Sequence, residues 1–258
     1  MSNPQKEQTR FFNDIYKPRT INLPFPYDNL DHGKKVLDNE AECDRYIGLY
    51  GGHHFHKLYE AFPSTKFENM EAKNIEIIDW GCGQALATCV LIDYFFENSF
   101  RPKIESVALI EPSAIALSRG YSFVCQMLQP NFSSNSTIKT VHKCIDNLNY
   151  SDFDSNPSNI KIHLFSNIID VEYFEINKLY QLIINLFKGE NRIICTSASR
   201  YTAISRIDNF YNLFINNSTV IDSCKSSEAI FKEIFFNKNK RFEIGKIERY
   251  ERQFTVRL

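Results

Sequence analysis

The chain has 258 residues, of which 43% are hydrophobic and 24% are charged, a composition typical of a globular protein rather than a disordered, fibrous or disulfide-stapled one. Thirty Lys and Arg residues balance 31 Asp and Glu residues to a net charge of -1, so there is no overall positive field to hold a nucleic acid backbone. The seven cysteines are odd in number and form no C-x-x-C pair, which argues against a zinc ribbon and a secreted disulfide framework.

These properties favour one large domain, or one domain with an appendage, in a reducing cytoplasm. The N-terminal residues carry no apolar stretch of the kind that directs export, and no apolar run approaches the roughly 20 residues of a membrane helix. We therefore expect a cytoplasmic protein with no membrane partner and no strong nucleic-acid signature.

The N-terminal part, residues 1–72, does not show the alternation of elements that follows it. Ala41–Phe62 has a helical composition that is interrupted by Gly51–Gly52, while Pro24 and Pro26 indicate an extended lead-in. We interpret this part as a helical cap or lid rather than as an independent core.

From about residue 75 onward, short apolar β-branched runs alternate with longer segments of helical period, which is the pattern of βαβ units on a parallel sheet. The predicted strands are Ile75–Trp80, Val107–Ile110, Ile138–Ile145, Ile160–Phe165 and Arg192–Thr196. The predicted helices run from Gln84 to about Asn98, from Ser113 as its cap to Leu128, from Ile176 to Leu186, and through Ile204 to Phe214.

The end of the chain has a different pattern. Arg241–Leu258 alternates strictly at its end, with Phe254 and Val256 on one face, and Gly245 lies between it and a preceding strand-like run. This pattern predicts a terminal antiparallel hairpin.

The first predicted strand runs into a glycine turn that opens a helix. Glycines there let the backbone approach a ligand, and the helix N-terminus presents unpaired N–H groups to it. A dinucleotide fingerprint would need glycine where the chain has Leu86, which disfavours a nicotinamide enzyme. Asp79, two residues before Gly81, would repel a pyrophosphate but would pair with an amino group. The turn therefore favours a zwitterionic amino-acid ligand.

The spacing Asp79-x-Gly81-x-Gly83-x-Ala85 resembles motif I of the class I S-adenosylmethionine-dependent methyltransferases, with Ala85 at a position where glycine is commonest. That resemblance covers roughly residues 70 to 258. It implies an α/β fold with a doubly wound, mostly parallel seven-stranded sheet that ends in an antiparallel hairpin. We expect this Rossmann-like domain at 73–258, after the N-terminal helical cap.

Two further acidic residues match positions of the superfamily. Glu111 ends the second predicted strand, 32 residues after Asp79, where the family places an acid that accepts hydrogen bonds from the ribose hydroxyls. Asp146 follows the third, where an acid often contacts the adenine amino group. The cofactor-binding residues implied by the resemblance are Asp79, Gly81, Cys82, Gly83, Glu111, Pro112 and Asp146.

Each acid also has a purely structural interpretation. Asp79 can cap the turn that follows its strand, and Glu111 can complement the dipole of the next helix. Asp146 can be an ordinary turn residue.

The acceptor is expected beyond the carboxyl end of the fourth strand, as in other open α/β sheets. The tetrad of Asn or Asp, two prolines and an aromatic residue found in amino-methyltransferases is absent there. Asn167 can orient an acceptor or contact the cofactor, and Asp170 can serve as a base; alternatively, Ser166–Asp170 caps a helix that begins near Val171. A missing base does not exclude methyl transfer, which depends mainly on positioning.

Histidines cluster in the predicted cap. His53 and His56 can share a helical face, but no third ligand is suitably spaced, so no metal is expected. We expect Tyr46, Tyr50 and His54 to form a lid that reaches the substrate, with ordinary packing of the cap as the alternative.

The sequence thus predicts an S-adenosylmethionine-dependent methyltransferase whose methyl acceptor, an RNA, a protein or a small molecule, is not identified. Ala85 and the missing tetrad suggest the alternative, a catalytically weak or inactive methyltransferase fold that serves as a binding or regulatory module. The sequence does not indicate an oligomeric state.

Overall fold

A computed structural model describes residues 8–21, 23, 30–128, 136–236 and 238–258. Pro24 and Pro26, which were predicted to form an extended lead-in, lie outside the described residues.

A seven-stranded sheet forms the centre of the molecule, in the order β3-β2-β1-β4-β5-β7-β6. The first five strands pair in parallel, whereas β7 is antiparallel to both β5 and β6. The predicted fold class is therefore confirmed. The strands are β1 Asn74–Trp80, β2 Lys103–Ile110, β3 Thr137–Val141, β4 Ile160–Ser166, β5 Glu190–Ser197, β6 Thr219–Phe236 and β7 Arg241–Arg257.

Helices cover both faces of the sheet. They are α1 Lys17–Thr20, preceded by a π-helical segment Phe11–Tyr16, then α2 Glu40–Ala61, α3 Leu86–Glu97, α4 Ala114–Leu128, α5 Ile176–Leu186 and α6 Tyr201–Asn217. Residues of α2, α3 and α4 pack into one hydrophobic cluster and those of α5 and α6 into another. None of the helices described combines the length and apolarity needed to cross a bilayer.

Strand β1 is buried on both faces, as expected for the centre of a doubly wound sheet. Ile75 and Ile77 join the cluster under α3, while Ile78 and Trp80 join the cluster under α5 and α6. The period-two alternation of a strand thus supplies both cores from one short segment.

The N-terminal segment packs into the same hydrophobic cluster as β1 and α3. Phe11, Ile15 and Tyr16 are fully or nearly fully buried there. The helix α2 begins after Asn39, whose side chain accepts a hydrogen bond from the N–H of Glu42 at 2.9 Å and so satisfies one of the free donors of the first turn.

The predicted interruption at Gly51–Gly52 is wrong, because α2 runs unbroken through both glycines. The ring of Tyr16 lies directly against them. A Cβ atom at Gly51 would lie 2.9 Å from Cδ2 of Tyr16, and one at Gly52 would lie 2.6 Å from its hydroxyl oxygen. These glycines permit a close approach of the two segments rather than a break in the helix.

The terminal hairpin is confirmed, but the expected position of Gly245 between its strands is wrong. Gly245 lies within β7, since β6 ends at Phe236 and β7 begins at Arg241. A Cβ atom at Gly245 would lie 2.5 Å from Cδ1 of Ile234, so the glycine makes room for this side chain from the neighbouring strand.

Several predicted boundaries shift by a few residues. Strand β3 ends at Val141 instead of Ile145, and no helix begins near Val171, because α5 starts at Ile176. The predicted cap of α4 is confirmed: Oγ of Ser113 accepts a hydrogen bond from the N–H of Ala116 at 3.1 Å.

Candidate functional site

The loop after β1 turns sharply at the carboxyl edge of the sheet. Gly81, Gly83 and Ala85 all adopt positive φ angles, of 59°, 53° and 56°. For a residue with a Cβ atom this conformation costs about 1–2 kcal/mol. Ala85 adopts this conformation beside Gly120 of α4. A Cβ atom at position 120 would lie only 3.0 Å from the Cβ atom of Ala85.

The two glycines have different surroundings. A Cβ atom at Gly81 would lie 2.6 Å from the side chain of Ile168, so packing requires a glycine there. A Cβ atom at Gly83 would meet nothing within 4 Å. Gly83 therefore faces open space, as expected where a backbone lies against a ligand.

Asp79 lies at the end of β1 and is 1% exposed. Its Oδ2 accepts hydrogen bonds from the backbone N–H and the hydroxyl of Thr88, at 3.1 and 2.8 Å, in the first turn of α3. Oδ1 accepts none from the described residues. Burial raises the pKa of this carboxyl to about 7, against the lowering effect of the Thr88 bonds. The predicted capping role is present, and one oxygen remains for a cationic group.

Glu111 directly follows β2. Its Oε2 accepts the N–H of Gly83 and its Oε1 accepts the N–H of Ser113, each at 2.9 Å. Burial raises the pKa of this carboxyl, while the two backbone hydrogen bonds oppose the shift. A carboxylate oxygen has two lone pairs, so each oxygen can accept a further hydroxyl donor.

Glu111 lines a cleft of about 190 Å³ over the glycine loop, which we call the glycine-loop cleft. Apolar side chains in its lining suit the faces of a planar base. These side chains include Ile110, Pro112, Cys144, Ile145, Ile168 and Phe174.

The loop also lines a smaller cavity of about 30 Å³. Gly81 and Gly83 line both spaces, whereas Asp79 and Cys82 line only the smaller one. Glu111 therefore lines the cleft and Asp79 lines the smaller cavity, and the two spaces share the backbone of the glycine loop.

Asp146 is not brought to the glycine-loop cleft. Its Oδ1 accepts a hydrogen bond from the N–H of Glu175 at 3.0 Å, and the residue lines a separate, open surface pocket. Its neighbours Cys144 and Ile145 line the cleft instead. A contact of Asp146 with adenine stays a prediction.

A second, larger space of about 450 Å³ lies between α2 and the carboxyl ends of β4 and β5; we call it the α2 pocket. One face of α2 lines it, with Tyr46, Tyr50, His53 and Lys57 at spacings of four, three and four residues. Tyr46 also lines the glycine-loop cleft, as does Asn167. The two spaces meet at these residues.

Asn167 and Asp170 both line the α2 pocket. Asn167 adopts a positive φ of 55° directly after β4, and its Oδ1 accepts a hydrogen bond from Nζ of Lys57. Oδ2 of Asp170 accepts the hydroxyl of Ser197 at 2.9 Å. Its Oδ1 is buried and has no hydrogen-bond partner among the described residues.

Lys57 was not identified from the sequence. It is 5% exposed, and burial lowers the pKa of its ammonium to about 8, with Asp170 raising it and Arg200 lowering it further. The spacing of the α2 face was visible in the sequence. The predicted interruption at Gly51–Gly52 hides this continuous face, because it divides the helix between Tyr50 and His53.

The predicted lid residues Tyr46, Tyr50 and His54 all line the α2 pocket. The ring of His54 stands edge-on to that of Tyr46 at 5.9 Å, and burial lowers its pKa well below the usual value. His56 instead bonds to the carbonyl of Glu233 at 2.9 Å. Across the described ranges, no three His, Cys, Asp or Glu side chains are grouped as metal ligands.

No family model matches this chain, and no curated protein matches it in sequence. Among solved structures, it is similar to an S-adenosylmethionine-dependent methyltransferase from Leishmania major, with a TM-score of 0.47 and 10% identity over 88% of this chain and 81% of that one. It is also similar to the tRNA (m1A58) methyltransferase of Aquifex aeolicus, with a TM-score of 0.43 and 9% identity over 77% of this chain and 68% of that one. A third similar structure is precorrin 8w decarboxylase of Methanobacterium thermoautotrophicum, with a TM-score of 0.44 and 14% identity over 73% of this chain and 84% of that one.

Proposed function

We propose that this protein transfers the methyl group of S-adenosylmethionine to an acceptor bound in the α2 pocket. The observation that carries the proposal is the meeting of two spaces at Tyr46 and Asn167. One space has the acids and open glycine backbone that suit the cofactor, and the other has room for a second reactant. In-line displacement requires that two reactants be held face to face in this way.

The residues around the glycine loop fit S-adenosylmethionine in three places. The free Oδ1 of Asp79, which lines the smaller cavity, suits the amino group of its methionine part, and the oxygens of Glu111 in the glycine-loop cleft suit the ribose hydroxyls. The apolar lining of the cleft, with Pro112, Ile145 and Phe174, suits the adenine ring. When bound, the cofactor supplies a methyl group on a sulfonium centre.

The residues of the α2 pocket would orient the acceptor. Asn167, fixed by its backbone N–H bond to the carbonyl of Thr196 at 2.8 Å, lies at the junction of the two spaces. The unpartnered Oδ1 of Asp170 can accept a hydrogen bond, and then the proton, from a hydroxyl or amino group of the acceptor.

The test is transfer of an isotope-labelled methyl group from S-adenosylmethionine to separate pools of RNA, protein and small molecules. We expect label in one pool with the wild-type protein and at least about fivefold less with Glu111→Ala at a subsaturating cofactor concentration. If the cofactor binds but no label reaches any pool, the proposal fails and the binding or regulatory module is favoured.

A further inference from the structure

We infer that the α2 pocket binds a small aromatic acid, whose anionic oxygens accept hydrogen bonds from the ammonium of Lys57 and whose ring lies along the aromatic face of α2. This inference rests on the proposed function, since it names the class of acceptor. It also concerns a separate binding site, so it can be tested apart from methyl transfer.

Lys57 is the first support for an anionic ligand. It is 5% exposed, and the one hydrogen bond that it makes among the described residues goes to the neutral amide of Asn167. No carboxylate in the described part of the chain forms an ion pair with it. Asp170 favours the charged form of Lys57 without forming an ion pair with it, so a directly bonded ligand anion would further offset the cost of burying the ammonium.

The charge balance of the pocket points the same way. Lys246 and Glu248 neutralise each other in an ion pair at 2.7 Å. The remaining charged groups on the wall are Lys34, Lys57 and Arg200 against the carboxylate of Asp170. This leaves an excess of positive charge.

Arg200 lines the same pocket as Lys57, and its positive charge contributes to the lowered pKa of the lysine. An anion between them would be attracted by both and would relieve their mutual repulsion. Arg200 is exposed at the residue before α6, so it can be replaced without disturbing the core.

The size and walls of the pocket indicate a small planar molecule. About 450 Å³ lies within the range of roughly 300–1,000 Å³ that is usual for small-molecule sites. The rings of Tyr46 and Tyr50 lie 5.2 Å apart and offer an apolar surface to an aromatic ring. Asp170 leaves one buried oxygen for a hydroxyl or amino substituent.

The probe is benzoate, with benzamide as its neutral analogue of nearly the same shape. Ligand-observed NMR titrations would compare the two molecules on the wild-type protein, alone and with S-adenosylhomocysteine present. We expect benzoate to bind at least tenfold more tightly than benzamide. Equal affinities, or a preference for benzamide, would overturn the inference without the need for any variant.

Variants then locate the site. Lys57→Met is expected to abolish the preference for benzoate, and Arg200→Gln to reduce it about threefold. The matched control is Lys232→Met, which removes a lysine paired with Glu60 at 2.5 Å outside the pocket and should leave the preference intact. A preference that persists in a folded Lys57→Met protein would place the anion elsewhere and contradict the inference.

Binding of S-adenosylhomocysteine to the same samples separates the two proposals. If it binds and benzoate shows no preference over benzamide, the acceptor class is wrong while the proposed function stands. If benzoate binds as expected and S-adenosylhomocysteine does not, the methyl-transfer function is wrong. Thermal unfolding of each variant shows whether it is folded, and Arg200→Gln gives a result even where Lys57→Met does not fold.

Discussion

The backbone N–H of Gly83 donates a hydrogen bond of 2.9 Å to Oε2 of Glu111, which ties the loop after β1 to the end of β2. The two strands are neighbours in the sheet, so their carboxyl ends meet at the same edge. The carboxylate thus helps to hold the glycine loop in shape while it lines the cleft over that loop.

Replacing Glu111 by Ala is expected to weaken binding of S-adenosylhomocysteine by about 1–3 kcal/mol, because charged hydrogen bonds to the ribose hydroxyls are lost. Titration calorimetry measures the change. Glu105→Ala is the matched control, since this exposed residue lies on β2, the strand that Glu111 follows, and does not line the cleft. An unchanged affinity in a folded Glu111→Ala protein would refute the ribose contact.

The pH dependence of cofactor binding is expected to follow Asp79, whose pKa burial raises to about 7. Only the carboxylate form can pair with the amino group of the cofactor. Affinity should therefore rise with pH through about 7 and level off above it. Asp79→Asn should bind weakly at all pH values from 5.5 to 8.5, and a wild-type affinity that is flat over this range would contradict the role of Asp79.

The same raised pKa affects the stability of the protein without ligand. Between the ordinary pKa of 3.8 and about 7, the folded protein holds a proton on Asp79 that the unfolded chain releases. Stability should thus fall as pH rises through this window, by at most about 1.4 kcal/mol per pH unit from this group. Denaturant unfolding at several pH values checks this fall in the free energy of unfolding, which the wild-type protein should show and Asp79→Asn should lack. The contribution of Asp79 to the pH dependence should vanish near pH 4.

The two loop glycines should respond differently to replacement by alanine. Gly81→Ala is expected to destabilise the protein by about 2–4 kcal/mol, because backbone strain adds to a collision with Ile168. Gly83→Ala meets no neighbour, so it should cost about 1–2 kcal/mol in stability while its methyl group hinders the cofactor. Unfolding and binding measurements on both variants test the contrast. If Gly83→Ala binds the cofactor as tightly as the wild-type protein does, a ligand does not lie over the loop.

Gly52→Ala in α2 is expected to destabilise the protein by about 1–3 kcal/mol through a collision with Tyr16, although alanine is the better helix former by about 1 kcal/mol. Whether the substitution stabilises or destabilises the protein should depend on the residue at position 16. In a Tyr16→Ala protein, the same substitution should be neutral or stabilising. If it is equally harmful in both backgrounds, the packing of Tyr16 is not the reason for the glycine.

The parts of the fold that the sequence predicted are those with a local signal. The apolar run of β1, the cap at Ser113 and the glycine loop each depend on residues within a few positions of one another. The parts that it missed depend on contacts between distant segments. Gly51 and Gly52 need a glycine because of Tyr16, and Gly245 needs one because of Ile234, so the sequence near each glycine could not distinguish packing from a turn.

The candidate site divides in the same way. Asp79 was identified at the end of a predicted strand, two residues before Gly81, and Glu111 was identified because it ends the next predicted strand; parallel strands bring their carboxyl ends to one edge. The functional face of α2 was only partly identified. Lys57 acquires its significance from Asn167, 110 residues away, and from the burial of its ammonium, which depends on the assembled fold.

The cofactor site is tested most directly by titration calorimetry of the wild-type protein with S-adenosylhomocysteine, S-adenosylmethionine and NAD at pH 8, where Asp79 is ionised. We predict saturable binding of both sulfur compounds and none of NAD. Absence of binding for both sulfur compounds at millimolar concentration, in a folded protein, would contradict the assignment of Asp79, Gly83 and Glu111 to the cofactor.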